Sequence, residues 1–550
     1  NVVKFLGVGI ASALLSVAFA SEGPNIVWII ADDMGVNMGC YGDTYARTPN
    51  LDTFASQGTR FTHAFSVHGQ CSPSRSALIT GMYPTTIGTQ HMRCEGIPPA
   101  SVKCFTEYLR QSGYFCTNNA KTDYNFGWNG SKSPADWTTK APLGAWDECD
   151  PKAHWRNRPN NKTPFFSVFT LGTTHESQIF AADERAKNLT RELSTNQLHD
   201  PAAAPLPPYY PDHPQVRHDV ARYYDLVTAM DIQAGRLLQQ LEEDELADDT
   251  VVFFFADNGR GLPRAKRWLY DWGIHVPLIV RWPGTVAAGA VQDRLVSFVD
   301  FAPTVLSISG VSIPANIQGR PFLGRGDGAP LEYIFAARDR YDEVVDYTRA
   351  VRDHRYKYIR NFRPEIPYAV VVDYMDQMPM MRTWRELDAA GKLEGAAKAW
   401  FAPRRPDEEL YDTQADPYEI TNLASSPEQA QTLERMRAAL AEWQRETADL
   451  GGRDEAELWE VRRPGGIWAE TAAPVATPGG GAIASGVTIT LASDTEGATI
   501  VYTTGAGDAS RWRIYSGPVT LDTSCTLRAQ AGRIGYKDSG IVSMGYTTSR

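Results

Sequence analysis

The chain has 550 residues, 43% of them apolar, and a formal net charge of −11 from 54 Lys and Arg against 65 Asp and Glu. That length exceeds one ordinary core and predicts two or three domains. The acidic balance argues against nucleic-acid binding by counterion release, so a polyanionic ligand would have to be met by a local basic pocket.

From the amino terminus, Lys4, an apolar stretch from Ile10 to Val17 and Ala18-Phe19-Ala20 make the pattern of a secretory signal peptide over residues 1–20, with cleavage after Ala20. The apolar run is too short for a membrane span and no other segment reaches 18 apolar residues, so the expectation is an exported protein, secreted or periplasmic, without a transmembrane segment. Three apolar runs then end in polar residues: Asn25 to Ile30 before Asp32-Asp33, Pro164 to Phe169 before His175-Glu176, and Val251 to Phe255 before Asp257-Asn258. Continuous apolar strands are typical of parallel sheets covered on both faces, where ligands gather beyond the carboxyl ends. Helical patterns lie between them, at Asn50 to Gln57 after Pro49, Phe105 to Ser112 and Val216 to Glu243. The alternation predicts an α/β domain over residues 21–345.

Further on, Ala350 to Asn361 reads as a hairpin-like pair of strands, followed by Glu409-Leu410-Tyr411-Asp412 and a charged helix from Pro427 to Thr447. These form a second unit over 346–450. Residues 451–475 are rich in Gly, Pro, Ala and charge and read as a linker. Alternating runs at Val487 to Leu491, Thr499 to Thr503 and Cys525 to Ala529 predict a small β-sandwich over 476–550. This last piece resembles the fibronectin-type appendage of some bacterial carbohydrate enzymes. The seven cysteines give no readable disulfide framework.

The most informative segment is Cys71-Ser72-Pro73-Ser74-Arg75, continued by Ala77-Leu78 and Thr80-Gly81. Pro73 suits a first helical turn and Ser72 or Ser74 can cap it, so a helix is expected to start beside residue 71. Its free N–H groups and positive dipole end favour an anion there, and Arg75 adds a fixed charge with planar donors. The motif resembles the signature of the formylglycine-dependent sulfatases, members of the alkaline-phosphatase-like superfamily. The resemblance implies a mixed sheet flanked by helices, with a smaller carboxyl-terminal α+β subdomain at 346–450. It also implies that a formylglycine-generating maturation enzyme oxidises Cys71 to an aldehyde. Ile87 to Arg93 is similar to bacterial heparan N-sulfatase-like enzymes and marine polysaccharide sulfatases.

Asp32, Asp33, Asp257 and Asn258 offer four oxygen ligands suited to a hard cation, Ca²⁺ or Mg²⁺, and no zinc spacing competes. The resemblance matches all four, adds residue 71 and implies one calcium ion. It places Lys121, His175 and Lys266 around the hydrated aldehyde. In the implied mechanism a hydrate oxygen attacks sulfur, Lys121, His175 and Lys266 neutralise the growing charge, and His175 protonates the leaving oxygen. Two departures stand out. Asp123 occupies the place of a family histidine, so either Asp123 or His91 would serve as the regeneration base. His275 stands where many relatives carry arginine, and Trp272 where they carry glycine. His91, Arg93 and His275 are candidate substrate contacts, and Trp128, Trp268 and Trp272 a candidate sugar-stacking wall.

The expected function is therefore a sulfatase acting on a sulfated carbohydrate, at an O-sulfate ester or an N-sulfate. The alternatives are a phosphonate or phosphate ester hydrolase of the same superfamily, usually built on serine or threonine at position 71, and a non-catalytic glycan-binding protein that keeps the pocket.

Overall fold

The computed structural model describes residues 23–119, 121–127, 140–326, 328–505, 507 and 511–549. The segment read as a signal peptide and Trp128 lie outside them. Eight strands form the main sheet: β1 Asn25–Ala31, β2 Thr59–Phe65, β3 Phe115–Asn119, β4 Glu148–Cys149, β5 Phe165–Leu171, β6 Thr250–Ala256, β7 His275–Arg281 and β8 Ala290–Ser297. Their order is β4-β3-β5-β1-β6-β7-β2-β8. The three apolar runs are neighbours at its centre: β1 pairs in parallel with β5 (Ile26 opposite Phe166) and with β6 (Ile26 opposite Val251). Parallel pairing puts their carboxyl ends on one edge, which brings the three polar clusters together. β7 runs antiparallel to β6 and β2, so the sheet is mixed.

Both faces of the sheet are covered. Trp28 in β1 lies among Phe105, Phe166, Phe255 and Phe301, with ring centroids 5.0–5.8 Å away. The long helix Pro214–Glu243 buries Val216, Val220, Tyr223, Val227, Met230 and Ala234, a helical repeat that gives one apolar stripe. From that stripe Asp231 accepts the backbone N–H groups of Asn50 (3.2 Å) and Leu51 (2.8 Å), satisfying the start of helix Pro49–Gln57.

The second unit is an antiparallel sheet of β9 Ile334–Arg338, β10 Thr348–Arg352, β11 Tyr356–Asn361 and β12 Glu408–Asp412. Helix Ala430–Glu446 covers it through Leu433, Met436, Leu440 and Trp443. The expected hairpin is β10–β11.

The last unit consists of a three-stranded and a five-stranded sheet around Ile489, Leu491, Leu527, Ala529 and Tyr546. The stretch expected to be a linker is more ordered than its composition suggested. It carries helix Glu455–Arg462, capped by Asp454, and polar contacts fasten it: Arg340 Nη2 to Glu455 (2.9 Å), Arg462 to the Ile87 carbonyl (2.9 Å) and Arg463 to Glu95 (2.8 Å). Its charges are spent on partners remote in sequence. Among the described residues no helix is long and apolar enough to cross a membrane.

Candidate active site

Cys71 is the first residue of helix Cys71–Thr80, reached from an extended Gln70 (φ −145°, ψ 157°), and all ten residues of the helix are buried. Neither serine caps it, contrary to expectation. Both lie inside the first turn, where packed neighbours take their hydroxyls: Ser72 Oγ donates to Asp123 Oδ1 (2.8 Å) and Ser74 Oγ to the His68 carbonyl (2.9 Å). The Cys71 thiol is 3.5 Å from Asp32 Oδ1 and 3.5 Å from Asp33 Oδ1. Burial, then the charge of Asp257, pushes it well above the ordinary thiol range, so the unmodified thiol stays protonated and weakly nucleophilic.

Four cationic or ionisable nitrogens surround the acids. Lys121 Nζ donates to both oxygens of Asp32 (2.8 and 2.7 Å) and lies 3.9 Å from Asp257. Lys266 Nζ is 2.5 Å from Asp33 Oδ2 and 2.9 Å from Glu176 Oε1. Arg75 Nε donates to Asp257 Oδ2 (2.9 Å) and its Nη1 to Thr170 Oγ1 (3.2 Å). His175 Nε2 is 3.7 Å from Asp33 Oδ2. Its Nδ1 lies 2.8 Å from Ser177 Oγ and 3.3 Å from the Ser177 backbone nitrogen, which turns Nε2 toward Asp33 and Lys266 Nζ (3.5 Å).

The electrostatics follow from burial against pairing. Burial would raise the Asp32 carboxyl, but Lys121, then His175, Arg75 and Lys266, hold it well below the usual range. Burial and then Asp32 push Asp257 up to about 7. Burial, then Lys266, lowers His175. Asp33 adopts φ 58°, a left-handed conformation that Asp tolerates, and its carboxylate also accepts the Glu176 N–H (2.8 Å) and Asn258 Nδ2 (3.0 Å).

Ligand atoms of Asp32, Asp33, Cys71 and His175 all lie within 4.8 Å of one another. Asn258 Oδ1 beside them is buried without a hydrogen-bond partner among the described residues. A divalent cation would satisfy that oxygen, and with Asp32, Asp33 and Asp257 it makes a donor set for a hard ion.

Of the remaining sequence candidates, Asp123 reaches residue 71 through Ser72, and Arg93 Nε is 3.7 Å from Asp123. His91 is engaged elsewhere: its Nδ1 accepts the Arg340 N–H (3.1 Å), and burial lowers the ring to about 4. His275 Nε2 is 2.8 Å from the Thr62 carbonyl and its ring stacks on Phe65 at 4.8 Å, so its partners belong to β2 and not to the acidic cluster. Trp268 is core, against Trp400 at 4.9 Å. Trp272 lies between Tyr418 and the Arg260 guanidinium, 3.9 Å from its ring centre.

The sequence reading named Glu176 only as part of a polar cluster, without a role, and passed over Arg267. Arg267 grips Glu176 with two bonds (2.7 and 2.8 Å) and is held at φ 81°, while Glu176 in turn positions Lys266. Their adjacency to His175 and Lys266 was the only signal available.

Comparison with known proteins gives the family. The sulfatase family matches residues 24–311, and a relative from Formosa agariphila, an ulvan-active sulfatase, is 39% identical over 95% of this chain and 91% of its own. The chain belongs to the sulfatase family. It is a sulfuric ester hydrolase. The sulfatase is also 27% identical to human N-sulphoglucosamine sulphohydrolase over 82% of this chain and 94% of the human one. Residues 264–378 match the carboxyl-terminal region of N-sulphoglucosamine sulphohydrolases, and 478–543 the chitobiase/beta-hexosaminidase carboxyl-terminal domain. The structure of a putative sulfatase from Bacteroides fragilis superposes with a TM-score of 0.58 at 21% identity, covering 79% of this chain and 97% of that one, which establishes the shared fold.

Proposed function

We propose that this sulfatase, exported and matured by oxidation of Cys71 to formylglycine, hydrolyses sulfate groups on a sulfated polysaccharide, with ulvan the first candidate. The observation that carries the reading is the seat of residue 71: a buried helix start, 3.5 Å from two carboxylates and ringed by Lys121, Lys266, Arg75 and His175. The 39% identity to an ulvan-active sulfatase supports the substrate.

The hydrated aldehyde would supply the nucleophilic oxygen; Asp32, Asp33, Asp257, Asn258 and residue 71 would hold a calcium ion, which would supply Lewis acidity to that hydroxyl and to the sulfate oxygens. Everything else falls to the side chains. Lys121 and Lys266 stand on the carboxylates and offer charge to the sulfuryl oxygens as it builds. His175, in its imidazolium form, would protonate the leaving sugar oxygen from Nε2, the nitrogen on the side of the acids. Arg75, bonded to Asp257, opposes the burial that raises that carboxyl. Asp123, bonded to Ser72, is the group placed to take the proton that releases sulfate and restores the aldehyde.

An N-sulfate substrate is a second reading, favoured by the match of residues 264–378 to N-sulphoglucosamine sulphohydrolases. Measuring sulfate released by the matured protein from ulvan oligosaccharides and from N-sulfoglucosamine decides between them. Release from neither would reject both substrates.

A further inference from the structure

A cavity lies between the catalytic domain and the carboxyl-terminal β-sandwich, and of its lining only Asp123 enters the mechanism above. Arg93 and Asp123 form its inner wall, and Trp468, Arg533 and Tyr536 its outer wall. Asp123 is bonded to Ser72, the residue after Cys71, so the inner wall lies beside the sulfatase centre.

The outer wall is fixed in place. Lys103 Nζ donates to the Gly497 carbonyl and to Thr499 Oγ1 (both 2.6 Å), Arg110 Nη2 to the Trp512 carbonyl (3.0 Å), and Arg511 Nε to Asp147 (3.0 Å). Two glycines permit the close approach: a Cβ at Gly127 would fall 2.5 Å from the Trp468 ring, and one at Gly535 (φ 86°) 2.9 Å from Ile97. Residues from both units thus face each other across the cavity at a fixed separation.

Its chemistry is that of a site for an anionic sugar. Among the described residues Nε of Arg93, 3.7 Å from Asp123, and Nε of Arg533, whose Nη2 donates to the Pro98 carbonyl (3.3 Å), are buried donors without a hydrogen-bond partner. The Arg533 guanidinium lies 4.1 Å from the centre of the Tyr536 ring and that of Arg463 4.4 Å from the Trp468 ring, which places flat aromatic surface beside charged donors. Of the acids on the wall, Glu95 is tied to Arg463 (2.8 Å) and Asp123 to Ser72 (2.8 Å), while Asp538 stands at the exposed rim. Buried polar groups normally find partners, and an anionic group offers the acceptor oxygens that such arginine donors lack.

We propose that this cavity is a carbohydrate subsite that takes an anionic sugar unit of the substrate chain next to the one being desulfated, with Arg93 and Arg533 meeting its charge against Trp468 and Tyr536. The β-sandwich is then part of the substrate cleft. The inference rests on the polysaccharide-sulfatase reading and extends it to a second binding position.

The test is calorimetric binding of an ulvan tetrasaccharide to the full chain carrying Cys71→Ala, which needs no turnover. Arg533→Gln or Tyr536→Ala in that background should weaken binding about tenfold, the scale of one charge-assisted contact. A neutral agarose tetrasaccharide should bind at least tenfold more weakly and be insensitive to both substitutions. A desulfated ulvan fragment that keeps the sensitivity assigns the anion to a carboxylate; one that loses it assigns a sulfate. Equal affinity for neutral and anionic chains, or no change in both variants while their melting curves match the parent, would overturn the subsite. Sulfate release by the matured, unsubstituted enzyme is measured separately, so failure of the sulfatase reading and of the subsite are told apart.

Discussion

Arg75, in the first turn of the helix that begins at Cys71, donates Nε to Asp257 at 2.9 Å across 182 residues of sequence. The bond ties the cysteine motif to the carboxyl end of the third apolar strand. Both side chains are buried, so the pair is shielded from water and from salt. Replacing Arg75 with Met leaves a buried acid without its main partner, and breaking such a pair costs about 3–5 kcal/mol. Chemical denaturation of Arg75→Met should show a loss of that order; a loss below about 1 kcal/mol would mean that Asp257 does not depend on Arg75.

Cys71→Ala removes only the nucleophile and should abolish sulfate release while leaving circular dichroism and melting unchanged. Lys266→Met should lower turnover by about 10²–10³, the usual effect of deleting one charge-stabilising donor. In protein produced together with a formylglycine-generating enzyme, the peptide containing residue 71 should lie about 18 Da below the thiol form. An unshifted peptide in a fully active enzyme would refute the aldehyde.

Calcium should stabilise the chain itself. With Asn258 Oδ1 buried and unpaired and three carboxylates beside it, ion binding favours the folded state. At a hundredfold excess over Kd the gain is about 2.7 kcal/mol. The melting temperature of the Cys71→Ala protein should rise with calcium and fall back on chelation, and Asp33→Ala should remove the response.

Gly259 follows Asn258 in a tight loop, where an added Cβ would meet the Trp272 carbonyl oxygen at 2.2 Å and the Gly273 carbonyl carbon at 2.6 Å. Backbone cannot swing aside as a side chain does. Gly259→Ala should therefore cost about 1–3 kcal/mol and displace Asn258, weakening the calcium-dependent rise in melting temperature. A normal calcium response would show that the loop absorbs the methyl group.

Asp300 provides a pH-dependent contribution away from the site. It accepts the N–H groups of Ser297 (2.8 Å) and Arg320 (2.9 Å), yet burial raises its carboxyl to about 6. Because the folded value lies above the unfolded one, the proton favours the fold: this contribution is full below about pH 4 and is lost as pH rises through about 6. Relative to Asp300→Asn, the wild type should lose on the order of 2–3 kcal/mol between pH 4 and pH 7 in chemical denaturation. A pH-independent difference would place the buried carboxyl in one protonation state throughout.

Sequence by itself determined the three central strands, because continuous apolar runs such as Val251 to Phe255 have no stable place except between two covered faces. The acids beyond them, the helix at Cys71 and the β10–β11 hairpin were equally legible, since each depends on local pattern or on a short motif. Tertiary structure alone decided which side chains share the centre. His275, the first residue of β7, turns to the Thr62 carbonyl, and Glu176 becomes the partner of both Lys266 and Arg267, by tertiary placement that no local signal encodes. The same holds for the stretch from Gly451 to Val475. Its Gly, Pro and charge read as a linker, yet Arg462 and Arg463 find Ile87 and Glu95 more than 360 positions away, and so a loose-looking segment becomes a fixed part of the structure.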